Sequence, residues 1–230
     1  MRCSLKIGAA LLLGAMILPA YGLNILVTND DGFFEQISDG NGGKINGSTM
    51  APGLVALKNA FEGAGHTVTV VAPLNPQSSM GGARISSFGK TVAVVEQMPG
   101  GWTVDSTPSD SIRAALGGIV APESIDLVVS GINLGQNLGI VGTQASGTIN
   151  AALAALHAGL PAMAVSVERF GSSSTAFAQM PLAADFVARM VDERLNPYRL
   201  GGALFLKAPC LISTGQFIMI RVEQHPWQRR

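Results

Sequence analysis

The sequence predicts an α/β protein with a Rossmann-like, doubly wound and mainly parallel sheet that carries a small β-flap. Three observations point there. Short, uniformly apolar runs rich in Val, Ile and Leu recur along the chain, as in strands covered on both faces. Segments with helical patterning separate these runs, and parallel strands need such crossovers. Polar, glycine-bearing turns follow the runs, at the carboxyl ends where such sheets place ligands.

The elements follow in order. Arg2 and Lys6 precede an apolar stretch over 7–18, and Pro19, Ala20 and Gly22 follow it, so residues 1–22 read as a secretory signal peptide. Residues 25–28 are the first strand. Residues 33–50, rich in Gly and Asn, are expected to form a loop, long enough to be a functional lid. Ala51-Pro52-Gly53-Leu54 opens a helix with proline at its first position, and Gly65 ends it. The second strand spans 67–72. Residues 91–95 and 102–104 are extended pieces that suit a hairpin or side flap. Thr107-Pro108-Ser109-Asp110 caps a helix reaching about Gly117. A strand at 125–129, a small-residue helix at 147–158 and a strand at 161–165 come next. A helix at 181–191 and a strand at 203–206 complete a domain spanning 23–206, and 207–230 form an atypical tail.

Bulk properties exclude several roles. Without Arg2 and Lys6, 13 basic residues face 15 acidic ones, a net charge of −2 with no basic cluster. This argues against nucleic-acid duplex binding. With Cys3 in the signal segment, Cys210 is the single mature cysteine, so no intramolecular disulfide is expected. The expected setting is periplasmic or secreted, with no membrane attachment after cleavage.

Asn29-Asp30-Asp31-Gly32 at the end of the first strand is the most informative motif. Adjacent carboxylates repel, and a hard cation between them is one resolution; a solvated Asp-Asp-Gly turn is the other. On a parallel sheet Ser78, after the second strand, and Asn133, after the third, emerge on the same edge. Oxygen donors of this kind favour Mg²⁺, Mn²⁺ or Ca²⁺ over zinc. His66, His157 and His225 are not expected to be ligands. Ser146-Gly147-Thr148 opens a helix, either as an ordinary cap or as a phosphate site. A cation beside an anion-binding helix end suits phosphomonoester hydrolysis, with a carboxylate accepting the proton of an attacking water.

The ordered motifs resemble one family. Asn29-Asp30-Asp31-Gly32, Ala51-Pro52-Gly53-Leu54, Val71-Ala72-Pro73 with Gln77-Ser78, and Thr107-Pro108 with Asp110 are similar to those of the SurE survival-protein nucleotidases. So are Ser130-Gly131-Ile132-Asn133 with Gly135 and Asn137, Ser146-Gly147-Thr148, and Gly159-Leu160-Pro161-Ala162 with Ala164-Val165-Ser166. The resemblance implies a metal-dependent phosphatase acting on nucleoside 5′- or 3′-monophosphates and forming a homodimer or homotetramer. It implies one divalent cation (Mg²⁺ or Mn²⁺) per subunit, held by Asp30, Asp31, Ser78 and Asn133. It makes Asp30, Asp31 and Asn133 catalytic, and puts Asn137, Ser146, Gly147, Thr148 and Thr107 at the substrate phosphate. Departures are the 33–50 insertion, Ser79 where the family has glycine, Ala145 where it has an aromatic, and the tail. An exported metal- and nucleotide-binding module that has lost catalysis is the alternative. An aspartyl-nucleophile phosphatase needs Asp-x-Asp, and Asp30 and Asp31 are adjacent.

Overall fold

A computed structural model describes residues 22–87, 89–168 and 175–193, and the backbone of 173–174, 194–195, 199–200, 203–204 and 217–222. The segment expected to be a signal peptide, both cysteines and His225 lie outside the described residues. Among those described, no helix is long and apolar enough to cross a membrane.

β1 (Asn24–Thr28) is the first strand, buried along almost its whole length as its Ile-Leu-Val composition demands. Residues 33–50, expected as a loop, instead form an antiparallel hairpin of β2 (Phe34–Ser38) and β3 (Lys44–Met50). Its turn is closed by Asp39, whose carboxylate accepts the N–H groups of Asn41 and Gly43 at 2.8 Å. Being largely exposed, these strands have no apolar alternation from which to read them. α1 (Pro52–Gly63) and β4 (Thr67–Pro73) fall where expected.

The hairpin expected at 91–104 is present, with its first strand three residues later than expected. β5 (Val94–Met98) and β6 (Gly101–Val104) form a hairpin that extends the main sheet, with β6 parallel to β4. α2 (Pro108–Ala114) starts on Thr107 and passes into a wider turn at Ala115–Ile119. β7 (Leu127–Leu134) runs five residues beyond the expected end, carrying Ser130 to Asn133 within the strand. Its register against β8 shifts between Ser130 and Asn133. Gly131 has φ +142°, and a Cβ there would strike the Val165 carbonyl, so the bend needs glycine.

α3 (Gly139–Ala145), for which no element was expected, directly precedes the next helix. α4 (Gly147–His157) and β8 (Ala162–Val167) match expectation. α5 (Ser173–Met190) starts eight residues early and contains Pro181. Its core contacts through Met180, Ala183, Ala184 and Val187 hold the helix on the sheet despite that proline. β9 (Arg199–Leu200) and β10 (Ala203–Leu204) pair only with each other, so 203–204 is not the last main-sheet strand. That place belongs to β11 (Phe217–Val222), parallel to β8, in the stretch expected to be tail.

The seven-stranded sheet has the order β11-β8-β7-β1-β4-β6-β5, with only β5 antiparallel. α1 and α5 cover one face through Leu54, Leu57, Phe61 and Val187. α2 and α4 cover the other through Ile112, Ile149, Ala151 and Ala155. The chain leaves β1 toward β4 on one side and returns to β7 on the other. Strand order therefore reverses at β1, and the crevice above β1 and β7 is the ligand position of a doubly wound sheet.

Candidate functional site

Backbone hydrogen bonds gather the expected residues around that crevice. Asn29 closes the turn after β1 by donating its amide to the Gly32 carbonyl at 3.0 Å. The turn is real, yet it leaves Asp30 and Asp31 for other work. The Gln77 N–H donates to the Asp30 carbonyl at 2.7 Å and tethers the loop that bears Ser78. The Leu134 N–H donates to Asp31 Oδ2 at 3.2 Å and fixes the end of β7 beside Asn133. Thr148 Oγ1 donates to Asp30 Oδ1 at 2.6 Å, so α4 begins against the first aspartate.

Each polar group has a describable state. Asp30 is buried, and burial raises its carboxyl above the ordinary range, opposed first by the Thr148 hydroxyl and then by nearby N–H groups, including those of Thr148 and Gly147. The α4 N-terminus thus faces a protein carboxylate. Burial, then the neighbouring charge of Asp30, pushes Asp31 up to about 7; the Leu134 N–H and Lys44 pull the other way. Asn133 donates to the Gly135 carbonyl at 2.7 Å, which leaves its side-chain oxygen uncommitted. Asn137 donates to Ser166 Oγ at 3.0 Å. Ser146 accepts the Ile149 N–H at 3.1 Å as helix cap and keeps its own O–H to donate.

Thr107 differs from the rest. Its hydroxyl donates to the Ala83 carbonyl at 2.6 Å and accepts the Asp110 N–H at 3.2 Å, so both functions are engaged within the protein. Ser78 is exposed at the mouth of the crevice. Next to it Ser79 adopts φ +65°, a left-handed conformation that glycine takes without steric cost. Ser79→Gly is expected to stabilise the protein by about 1 kcal/mol, read as a raised midpoint in urea unfolding with an unchanged slope. An unchanged or lowered midpoint would contradict the strain.

The donor set suits a hard cation. Asp30 and Asp31 form no ion pair within 4 Å among the described residues, although both are enclosed by protein. Among those residues no three His, Cys, Asp or Glu side chains converge, so a cation would draw on Ser and Asn oxygens too. The buried hydroxyls of Thr28 and Ser130, register partners just below, and the side-chain oxygen of Asn29 have no hydrogen-bond partner among the described residues. His66 is remote from this chemistry: its Nδ1 accepts the Leu23 N–H at 3.1 Å and its Nε2 lies 3.2 Å from Asp192. It is buried, not solvated, and burial lowers its pKa despite Asp192. His157 is exposed at the end of α4.

Sequence reasoning missed two contributors. Ser166, which the sequence offered only as part of a motif and without a role, supports Asn137 from β8. Lys44 reaches the Asp31 field from the hairpin, which a loop reading could not orient.

Fold and crevice define a doubly wound α/β protein with an acidic, oxygen-rich site at its topological switch point. The family model described as survival protein SurE matches residues 25–217, and the chain belongs to that family. It is 40% identical over 173 residues to the 5′-nucleotidase SurE of Geobacter sulfurreducens, covering 75% of this chain and 58% of that protein. It is 35% identical over 205 residues to the 5′-nucleotidase SurE of Halobacterium salinarum, covering 86% and 70% respectively. The chain spans 57–58% of the length of several of the curated relatives it matches. The crystal structure of the SurE protein from Aquifex aeolicus superposes with a TM-score of 0.59 at 29% identity, covering 74% of this chain and 60% of that one.

Proposed function

We propose that this chain is a divalent-metal-dependent phosphomonoesterase hydrolysing nucleoside 5′- or 3′-monophosphates. The observation that carries the reading is the pair of enclosed, ion-unpaired aspartates at the switch point, flanked by Ser78 and Asn133. The relatives named 5′-nucleotidase SurE support the substrate class. Asp30, Asp31, Ser78 and Asn133 would hold Mg²⁺ or Mn²⁺, which supplies Lewis acidity toward a phosphoryl oxygen.

The chain's own groups divide the remaining work. Asp30, locked by Thr148 and the start of α4, sets the position of the acidic pair. Asp31 has one oxygen held by the Leu134 N–H and offers the other to the proton of an attacking water. The free O–H of Ser146 and the amide of Asn137, oriented by Ser166, donate to phosphate oxygens. Gly147 lets the start of α4 lie close against Asp30, and Thr148 and Thr107 act by positioning. Export, suggested by residues 1–22, and assembly as a homodimer or homotetramer, suggested by the family resemblance, belong to the same proposal.

The test is a panel of nucleoside 5′- and 3′-monophosphates with Mg²⁺ or Mn²⁺, with and without chelator. Turnover that chelator abolishes is the expected result. Chelator-insensitive turnover would overturn the metal role. Tight Mn²⁺ and nucleotide binding with no turnover would identify a binding module instead.

A further inference from the structure

We infer that Lys44, carried inward by the β2–β3 hairpin, is an added contact for the anionic group of the substrate. The inference deepens the nucleotidase reading and rests on it for the identity of that anion. The hairpin has two distinct faces. Phe34 and Met50 pack on the core, and Asn46 donates to the Leu74 carbonyl at 3.2 Å and to Asn75 Oδ1 at 3.0 Å while accepting from Gln36. These residues mark the inner face. Glu35 and Thr49, bonded to each other, and the exposed cross-strand pair Ile37 and Ile45 mark the outer one.

Lys44 lies two residues from Asn46 on the same strand, and strand side chains alternate with period two, so Lys44 belongs to the inner face. That face rests on residues 74–75, the segment leading to Ser78. A lysine serving only to solubilise the hairpin would sit with Glu35 on the outer face. Lys44 is exposed and forms no ion pair among the described residues. The expected site residues are otherwise acidic or neutral. A phosphate entering the crevice would therefore find in Lys44 the positive charge that the strand ends do not supply.

Lys44→Gln and Lys44→Arg in the full chain test this, with exposed Lys90→Gln as a control. Inorganic phosphate binding is measured by calorimetry in Mn²⁺, and KM and kcat are measured on adenosine 5′-monophosphate. Lys44→Gln is expected to weaken phosphate binding and raise KM about tenfold, with kcat nearly unchanged and a shallower salt dependence of kcat/KM. Lys44→Arg restores most of the affinity, and Lys90→Gln changes neither quantity. Wild-type phosphate affinity in Lys44→Gln overturns the inference even if the enzyme hydrolyses nucleotides. Lys44-dependent phosphate binding without turnover upholds it while the hydrolytic reading fails. A wild-type protein that binds no phosphate overturns both.

Discussion

Asp31→Asn is expected to abolish turnover and, at neutral pH, to make the metal-free protein more stable. The carboxyl is raised from 3.8 to about 7 by burial and by Asp30, so the folded state holds its proton more tightly than the unfolded chain does. A carboxyl raised in this way contributes stability that is fully present below its unfolded pKa and is lost as pH rises through the folded one. The metal-free wild type should therefore lose stability between about pH 4 and pH 7. The amide oxygen introduced by Asp31→Asn could still accept the Leu134 N–H without carrying charge, so the variant's curve is flatter. The gain at pH 7 is at most on the order of 4 kcal/mol, roughly 10 °C in Tm. Turnover should fall by about 10²-fold or more.

Thermal melts in chelator from pH 4 to 8, with assays on the same samples, read both effects. Mn²⁺ should stabilise wild type more at pH 7 than at pH 5, because cation and proton compete for the same oxygens. In Asp31→Asn that difference should shrink, because Asp30 alone is left to exchange a proton for the cation. A variant less stable than wild type at pH 7, or one with wild-type turnover, would contradict the assignment. Asp30→Asn should also lose turnover. Its amide oxygen can still accept the Thr148 hydroxyl, while the charge facing the α4 N-terminus is gone.

Gly147→Ala should be nearly as damaging without removing any polar group. A Cβ there would lie 2.7 Å from Asp30 Cβ, 2.9 Å from Asp30 Oδ2 and 3.1 Å from Pro108 Cγ. Asp30 and α2 must both retreat, and overpacking of this kind costs about 1–3 kcal/mol. The displaced Asp30 would no longer present its oxygens beside Asp31, so metal affinity and turnover fall together. Equilibrium urea unfolding and Mn²⁺ titration measure the two losses. Wild-type Mn²⁺ affinity in a folded Gly147→Ala protein would show that Asp30 tolerates the shift.

The parts of the fold that were legible in the sequence are those where burial wrote the pattern. Asn24 to Thr28, Thr67 to Pro73 and Ala162 to Val167 are apolar because both faces are covered. Pro52 and Thr107 marked two helix starts by stereochemistry alone. The hairpin at 34–50 was opaque because exposed polar strands carry no burial alternation. β7 outran its expected end because Gly131 serves as a bend inside the strand. Pro181 was read as a helix start, whereas packing on the sheet carries α5 through it.

The same division holds at the site. The residue types and their common edge were readable, although Asp30 and Asp31 by themselves left a solvated turn and a cation site equally open. Their commitments were not. Only the folded chain shows that Thr148 is spent on Asp30 and Thr107 on Ala83 and Asp110. The state of Ser79 was half visible: its departure from glycine could be read, and its positive φ could not.

The root of the hairpin has a consequence for how this protein can be altered. Phe33 and Ala51 are joined by a 2.8 Å hydrogen bond, and Phe33 is held in turn by the Pro73 carbonyl at 2.7 Å. The chain thus leaves and re-enters the scaffold at neighbouring points, and both anchors belong to the scaffold. Residues 34–50 form a cassette whose length and side chains can drift, by evolution or by design, without moving the aspartates beside it. New side chains can be grafted at that seam while the acidic edge stays as it is.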